Sequence, residues 1–152
     1  MKIDRDEYEP FLRQDFVAFT EKAFGDLNPG AEYFSNFHVE VISEALQQCF
    51  AGKLRRLAIN LPPRSLKSHM VSVSFPAWLL GRRPSAQIIC ASYTQDLSEK
   101  LALDCRTIMT TDWYRNLFPC TRLAADRQPV HDFTTTQRGF SFGNLGRRCF
   151  NR

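Results

Sequence analysis

No apolar run in this sequence approaches the ~20 residues a helix needs to cross a bilayer. The N-terminus, Met1 to Glu9, is charged and has no apolar core of the kind a signal peptide carries, so the cytosol is the expected compartment. None of the five cysteines, Cys49, Cys90, Cys105, Cys120 and Cys149, stands at Cys-x-x-Cys spacing, and the three histidines do not cluster with them. That argues against a zinc site and leaves reduced thiols serving as small core residues. No internal repeat and no low-complexity linker divides the chain. A large excess of one charge is also missing. The net charge of +4 permits a nucleic-acid partner without arguing for one, and part of it comes from Arg147, Arg148 and Arg152 at the C-terminal end.

What is present is enough for one domain with a hydrophobic core: 152 residues, 43% apolar and 24% charged. Phe11, Leu12, Phe16, Val17, Phe19 and Phe24 recur at helical spacing and predict an amphipathic helix over 9–25, ended by Asn28-Pro29-Gly30. Val39, Ile42, Leu46, Cys49 and Phe50 predict a second helix over 37–50, capped by Ser35 or Asn36 and stopped at Gly52. Leu54 to Leu61 reads as a short strand cut off by Pro62 and Pro63. Lys67 to Leu80 reads as a helix closed by Gly81 and kinked or broken at Pro76. Gln87 to Ser92 reads as a buried strand. Thr94 is expected to cap a helix over 95–109 with Leu97, Leu101, Cys105 and Ile108 on its inner face. Trp113 to Phe118 adds a helical turn, and Phe133 to Thr136 with Gly139-Phe140 a hairpin. Strand, loop, helix, strand, helix is the order of a βαβ unit, so the expected class is α/β with a parallel sheet and flanking helices.

The segment that carries chemistry is Leu61-Pro62-Pro63-Arg64-Ser65-Leu66-Lys67-Ser68, between an expected strand and an expected helix. Backbone N–H groups at a helix start point outward and the helix dipole favours an anion there. A lysine followed by a hydroxyl residue suits a phosphate loop, with Lys67 reaching the β- and γ-phosphates and Ser68 helping to hold Mg²⁺. The usual loop has a glycine six residues before the lysine and another just before it; here those places hold Leu61 and Leu66. By spacing alone, a solvated helix end stands beside the phosphate loop as the plainer reading, and Leu66 must accept a backbone conformation that glycine meets at less cost.

Across residues 36–141, Ile59-Asn60-Leu61, Pro62 to Ser68, Phe75 to Gly81, Ala91-Ser92-Tyr93 and Leu117-Phe118-Pro119 follow one another in an order and spacing that resembles the ATPase front of phage terminase large subunits, the motors that pump viral DNA into capsids. The resemblance implies a P-loop NTPase-like domain over 36–142, preceded by a helical segment over 1–35, with ATP and Mg²⁺ as cofactors. It implies Pro63, Arg64, Ser65, Leu66, Lys67, Ser68 and His69 as the nucleotide-binding loop, with Arg64 and Lys67 acting in catalysis and Ser68 on Mg²⁺. Double-stranded DNA, a terminase small subunit and a portal protein are the implied partners, and a bacterial cytoplasm the implied setting. His38 falls where such proteins approach the adenine, although a capping or core histidine reads as well. Asp104 with Arg106 reads as helix surface or an ion pair. Arg82-Arg83 reads as DNA contact or a solvated helix end.

ATP hydrolysis in this class also needs an apolar strand ending in Asp or Glu. Gln87 to Ser92 ends without an acid, and Asp126 and Asp132 follow no apolar run. Where the family would continue in a Gly-rich stretch, the chain reads Gly143-Asn144-Leu145-Gly146-Arg147-Arg148-Cys149-Phe150-Asn151-Arg152. Codons can be chosen for this stretch that, read one base later, give Ala-Thr-Ser-Val-Gly-Gly-Val-Leu-Thr-Gly. The expectation is therefore a frameshifted tail over 143–152 and a fragment of a prophage gene that keeps its phosphate loop but cannot hydrolyse ATP alone. The alternatives are a P-loop piece of another nucleic-acid motor, such as a helicase, and an inert remnant.

Overall fold

The computed structural model describes residues 5–124 and 132–143, with side chains over 9–124 and 133–139. The expected tail over 143–152 and Asp126 therefore lie outside the described residues, Gly143 excepted.

The expected first helix is two helices, α1 (Arg5–Gln14) and α2 (Phe16–Leu27). Asp15 separates them. Its backbone is extended, and its Oδ1 accepts the N–H groups of Val17 at 2.8 Å and Ala18 at 3.0 Å. That cap satisfies two donors that a helix start leaves open. Apolar periodicity runs straight through the break and so conceals it. Phe16, Phe19 and Ala23 of α2 are buried. α3 (Phe37–Phe50) has the expected bounds, with Asn36 at the capping position but without a side-chain bond to the helix.

The expected strand over 54–61 does not form: the segment is irregular, and no backbone hydrogen bond ties residues 55–61 to other described residues. A strand exists only as part of a ladder, and Pro62 and Pro63 remove donors at its end. After the loop, helical structure runs without a gap through α4 (Lys67–His69), a π-helical segment (Met70–Ser74) and α5 (Phe75–Arg82). Pro76 has no N–H, and the irregularity expected of it appears as the π segment just before it, where Phe75 donates to the Met70 carbonyl. Gly81 does not close this helix. It lies inside the last turn, and a Cβ there would sit 2.4 Å from the Phe118 ring. Gly81 is thus an allowance for close packing.

β1 (Gln87–Cys90) is shorter than expected and only half covered, with Ile89 60% exposed. α6 (Gln95–Thr110) buries Ser98, Ala102, Cys105, Ile108 and Met109, while Leu97 turns outward. α7 (Asp112–Leu117) is capped by Thr111, whose Oγ1 accepts the Tyr114 N–H at 3.3 Å. β2 (Asp132–Thr134) and β3 (Phe140–Gly143) form the expected hairpin.

The expectation of a P-loop NTPase-like parallel sheet with flanking helices is overturned. The described residues are mostly helical. Among the described residues the strands are short, in the order β1-β3-β2, with β1 and β3 parallel and β2 and β3 antiparallel. A parallel sheet at the centre of an α/β domain is buried on both faces by helices. Here the helices instead bury their apolar faces against one another. Leu12, Phe16 and Phe19 join Val39, Met70, Trp78, Ile108, Tyr114 and Leu117 in one core cluster. Hydrogen bonds tie this cluster to the backbone: the Tyr114 hydroxyl donates to the Ala77 carbonyl at 2.8 Å, and Thr121 Oγ1 to the Leu80 carbonyl at 3.1 Å.

Candidate phosphate-binding site

Pro62 and Pro63 lead into a tight reversal that Ser65 closes by donating its hydroxyl to the Pro62 carbonyl at 2.8 Å. Two residues of this loop are left-handed without being glycine: Arg64 at φ +64° and Leu66 at φ +58°, ψ 0°. Leu66 leads directly into α4. A left-handed residue followed by helical ones turns successive N–H groups into one concavity. The N–H groups of Leu66, Lys67, Ser68 and His69 have no partner among the described residues, and the ladder begins only where Met70 donates to the Leu66 carbonyl at 2.9 Å. Four free donors at the positive end of a helical run are an anion site in form.

Lys67 Nζ donates to the Leu61 carbonyl at 3.1 Å. The side chain therefore folds back across the six-residue reversal and holds its ammonium over the loop. Arg64 is exposed and makes no ion pair among the described residues. Pro63 is exposed at the rim. Ser68 is exposed on the first helical turn.

Leu66 is partly buried against the core, so its strained backbone is held by packing. Glycine would relieve the strain and lose that contact, whereas a β-branched residue would deepen the strain. Chemical denaturation is expected to place Leu66→Gly within about 1 kcal/mol of the parent and to show Leu66→Val destabilised by about 2 kcal/mol.

Two hollows flank the loop, and Phe24 of α2 lines both. The first, of about 380 Å³, has Arg64, Ser65 and Leu66 on one side and Tyr33, Phe34 and His38 on the other. The Tyr33 hydroxyl is buried without a partner among the described residues, and burial, then Glu21, pushes its pKa up to about 12. It stays protonated at neutral pH and offers a donor. Aromatic faces beside a cationic loop make a surface on which a flat heterocycle can stack. The second hollow brings Ser68 and His69 together with Lys100 and Asp104 of α6. Burial pushes the Asp104 carboxyl up, and Lys100 draws it partly back.

His69 faces the second hollow, half-buried, with Nε2 3.0 Å from Ser74 Oγ and its ring edge-on to Phe24 at 5.5 Å. Burial lowers its pKa, and a backbone hydrogen bond with Thr20 opposes the shift. Arg82 and Arg83 stand at the opposite end of the helical run, where both lie over the Phe50 ring, at 4.9 and 4.3 Å. Among the described residues no group of three or more His, Cys, Asp or Glu side chains gathers where it could hold a metal ion. A Mg²⁺ ion that arrives with a nucleotide takes most of its oxygens from phosphate and water, and one hydroxyl such as Ser68 suits that demand.

Phe24, Tyr33, Phe34, Lys100 and Asp104 are missing from the motif-based set. Tyr33 and Phe34 left a trace, as aromatics in a loop outside any apolar period. Lys100 and Asp104 sit at i and i+4, on a stripe with Leu97 and Leu101. No family model, no curated protein and no solved structure matches this chain.

Proposed function

We propose that the loop over 62–68 binds the triphosphate of ATP, and that the chain is the ATP-binding front of a DNA-packaging motor of the phage terminase kind. The observation that carries this reading is the reversal in which Leu66 is left-handed, four N–H groups are left open and the Lys67 ammonium folds back to the Leu61 carbonyl. The two leucines in place of glycines do not oppose it, because Leu66 takes the conformation a glycine would supply. The γ-phosphate meets Lys67, and Arg64 is free to turn toward it. Mg²⁺ bound with the nucleotide would supply charge neutralisation on the phosphates, with Ser68 the nearest hydroxyl on the loop. The base lies in the hollow of Tyr33, Phe34 and His38. Double-stranded DNA, a small subunit and a portal protein belong to this proposal through the sequence resemblance alone.

The reading needs the local loop and not the parallel sheet that the fold lacks. Titration calorimetry with ATP and Mg²⁺ tests it. The parent chain is expected to bind ATP and Lys67→Ala to bind it about 100-fold more weakly, since an ammonium paired with phosphate is a strong charge-assisted contact. A second reading, an inert remnant, draws on the irregular segment over 54–61, the exposed Leu57 within it and the exposed Phe37 and Val41 beside it. Absence of binding in both proteins would leave only that second reading.

A further inference from the structure

The side chain after Ser68 does a different task from those before it. The His69 ring touches α2 and the π segment at once. Its Nε2 lies 3.0 Å from Ser74 Oγ, its ring meets Phe24 edge-to-face at 5.5 Å, and the Thr20 backbone is near enough to bear on its protonation. Thr20 and Ser74 are both fully buried. In the neutral tautomer protonated at Nδ1, Nε2 accepts the Ser74 hydroxyl proton. One imidazole thus spans two elements that meet nowhere in the local sequence. It is the side chain of the last of the four residues whose N–H groups are open.

The π segment gives this link its purpose. A helix with i→i+5 bonds between Met70 and Phe75 carries one extra residue in a turn, so the rotational phase of α4 relative to the buried α5 is not set by regular hydrogen bonding. α4 itself spans Lys67–His69 and joins the buried α5 only through that π segment. A side-chain contact outside the helix adds a constraint on where Lys67 and Ser68 point. The second hollow offers Lys100 and Asp104, but neither makes a hydrogen bond or ion pair to α4 among the described residues.

We propose that the His69 side chain is a positioning group: through Phe24 and Ser74 it sets the phase of the loop helix, and so the aim of the open N–H groups and of Lys67, without the imidazole itself touching the nucleotide. The proposal rests on the ATP-binding reading above. Contacts that orient metal ligands change affinity by about 10- to 100-fold when removed, and the lower end of that range sets the effect expected here.

The test is ATP affinity of the full chain, measured calorimetrically well below each variant's unfolding midpoint, so that loss of folded protein does not enter. His69→Ala is expected to bind ATP about tenfold more weakly. Ser74→Ala, a smaller change that reads the same link should His69→Ala not fold, is expected to weaken binding in the same direction. The double variant is expected to be no weaker than His69→Ala alone, because both remove one connection. His69→Gln, whose amide can meet Ser74, is expected to regain most of the loss. Parental affinity in both single variants, additive losses in the double, or no rescue by glutamine would overturn the positioning role. If Lys67→Ala loses ATP while His69→Ala does not, the positioning role alone falls. If the parent chain binds no ATP, the loop reading and this one fall together.

Discussion

Trp78→Ala is expected to cost about 3–5 kcal/mol of unfolding free energy, the range for removing a fully buried large aromatic side chain. Trp78 is 1% exposed and sits where the helices converge. Its ring meets Phe16 of α2 at 5.5 Å, Phe50 of α3 at 5.1 Å and Phe75 of α5 at 6.5 Å, and the Arg82 guanidinium covers it at 4.7 Å. Alanine would leave a void bounded by three helices that are already held elsewhere, so collapse could fill little of it. The indole N–H has no partner among the described residues. An orphaned buried donor is itself a cost of about 1–3 kcal/mol, and Trp78→Phe removes it together with one ring. The phenylalanine variant is therefore expected to lose much less than the alanine variant. Urea unfolding followed by far-UV circular dichroism reads both. A loss below about 1 kcal/mol in Trp78→Ala would mean that the helices do not converge on this ring.

How much of this was legible beforehand follows from how local each feature is. α3 was readable to its ends because its buried stripe, its turn before and Gly52 after all lie within the segment. The hairpin was readable for the same reason. The division of α1 from α2 was not, since Asp15 acts through a cap geometry that apolar spacing cannot register. The segment over 54–61 was misread more deeply. Its apolar run states a preference, but a strand is made by its neighbours, and β1 found its partner in β3 instead. The parallel sheet fell with that pairing. The turn into the helix at Lys67 was legible because Pro62, Pro63 and the first helical residues are consecutive. Its walls were not: Phe24, Tyr33 and Phe34 reach it from α2 and from the loop ahead of α3, and Asp104 from α6. No spacing rule connects them to Lys67.

Gly139→Ala is expected to be the most damaging small substitution outside the helical core, at about 3 kcal/mol or more, because overpacking and lost hydrogen bonds act together. The turn residues invite the wrong explanation. The left-handed residue of the hairpin is Arg138, at φ +64°, and Gly139 is not left-handed. Gly139 is required by space. A Cβ there would lie 2.1 Å from the Pro84 carbonyl oxygen and 2.8 Å from that of Ala86. Both obstacles are backbone, so no rotamer change relieves them, unlike the ring that crowds Gly81. The same place is laced by hydrogen bonds: Gly139 N–H donates to Thr135 Oγ1 at 3.0 Å, Thr135 N–H to the Gly139 carbonyl at 2.7 Å, and Thr135 Oγ1 to the Pro84 carbonyl at 2.5 Å. Moving the hairpin off Pro84 breaks this set and shears β3 along β1, since their pairing at Gln87 and Phe140 begins one residue later. Arg138→Gly supplies the contrast, as glycine suits a left-handed position and should leave stability near the parent value. Amide hydrogen exchange over 87–90 separates the two explanations. Fast exchange there in Gly139→Ala with parental exchange in Arg138→Gly is the expected pattern. Equal protection in both variants would show that the hairpin does not rest on the Pro84 carbonyl.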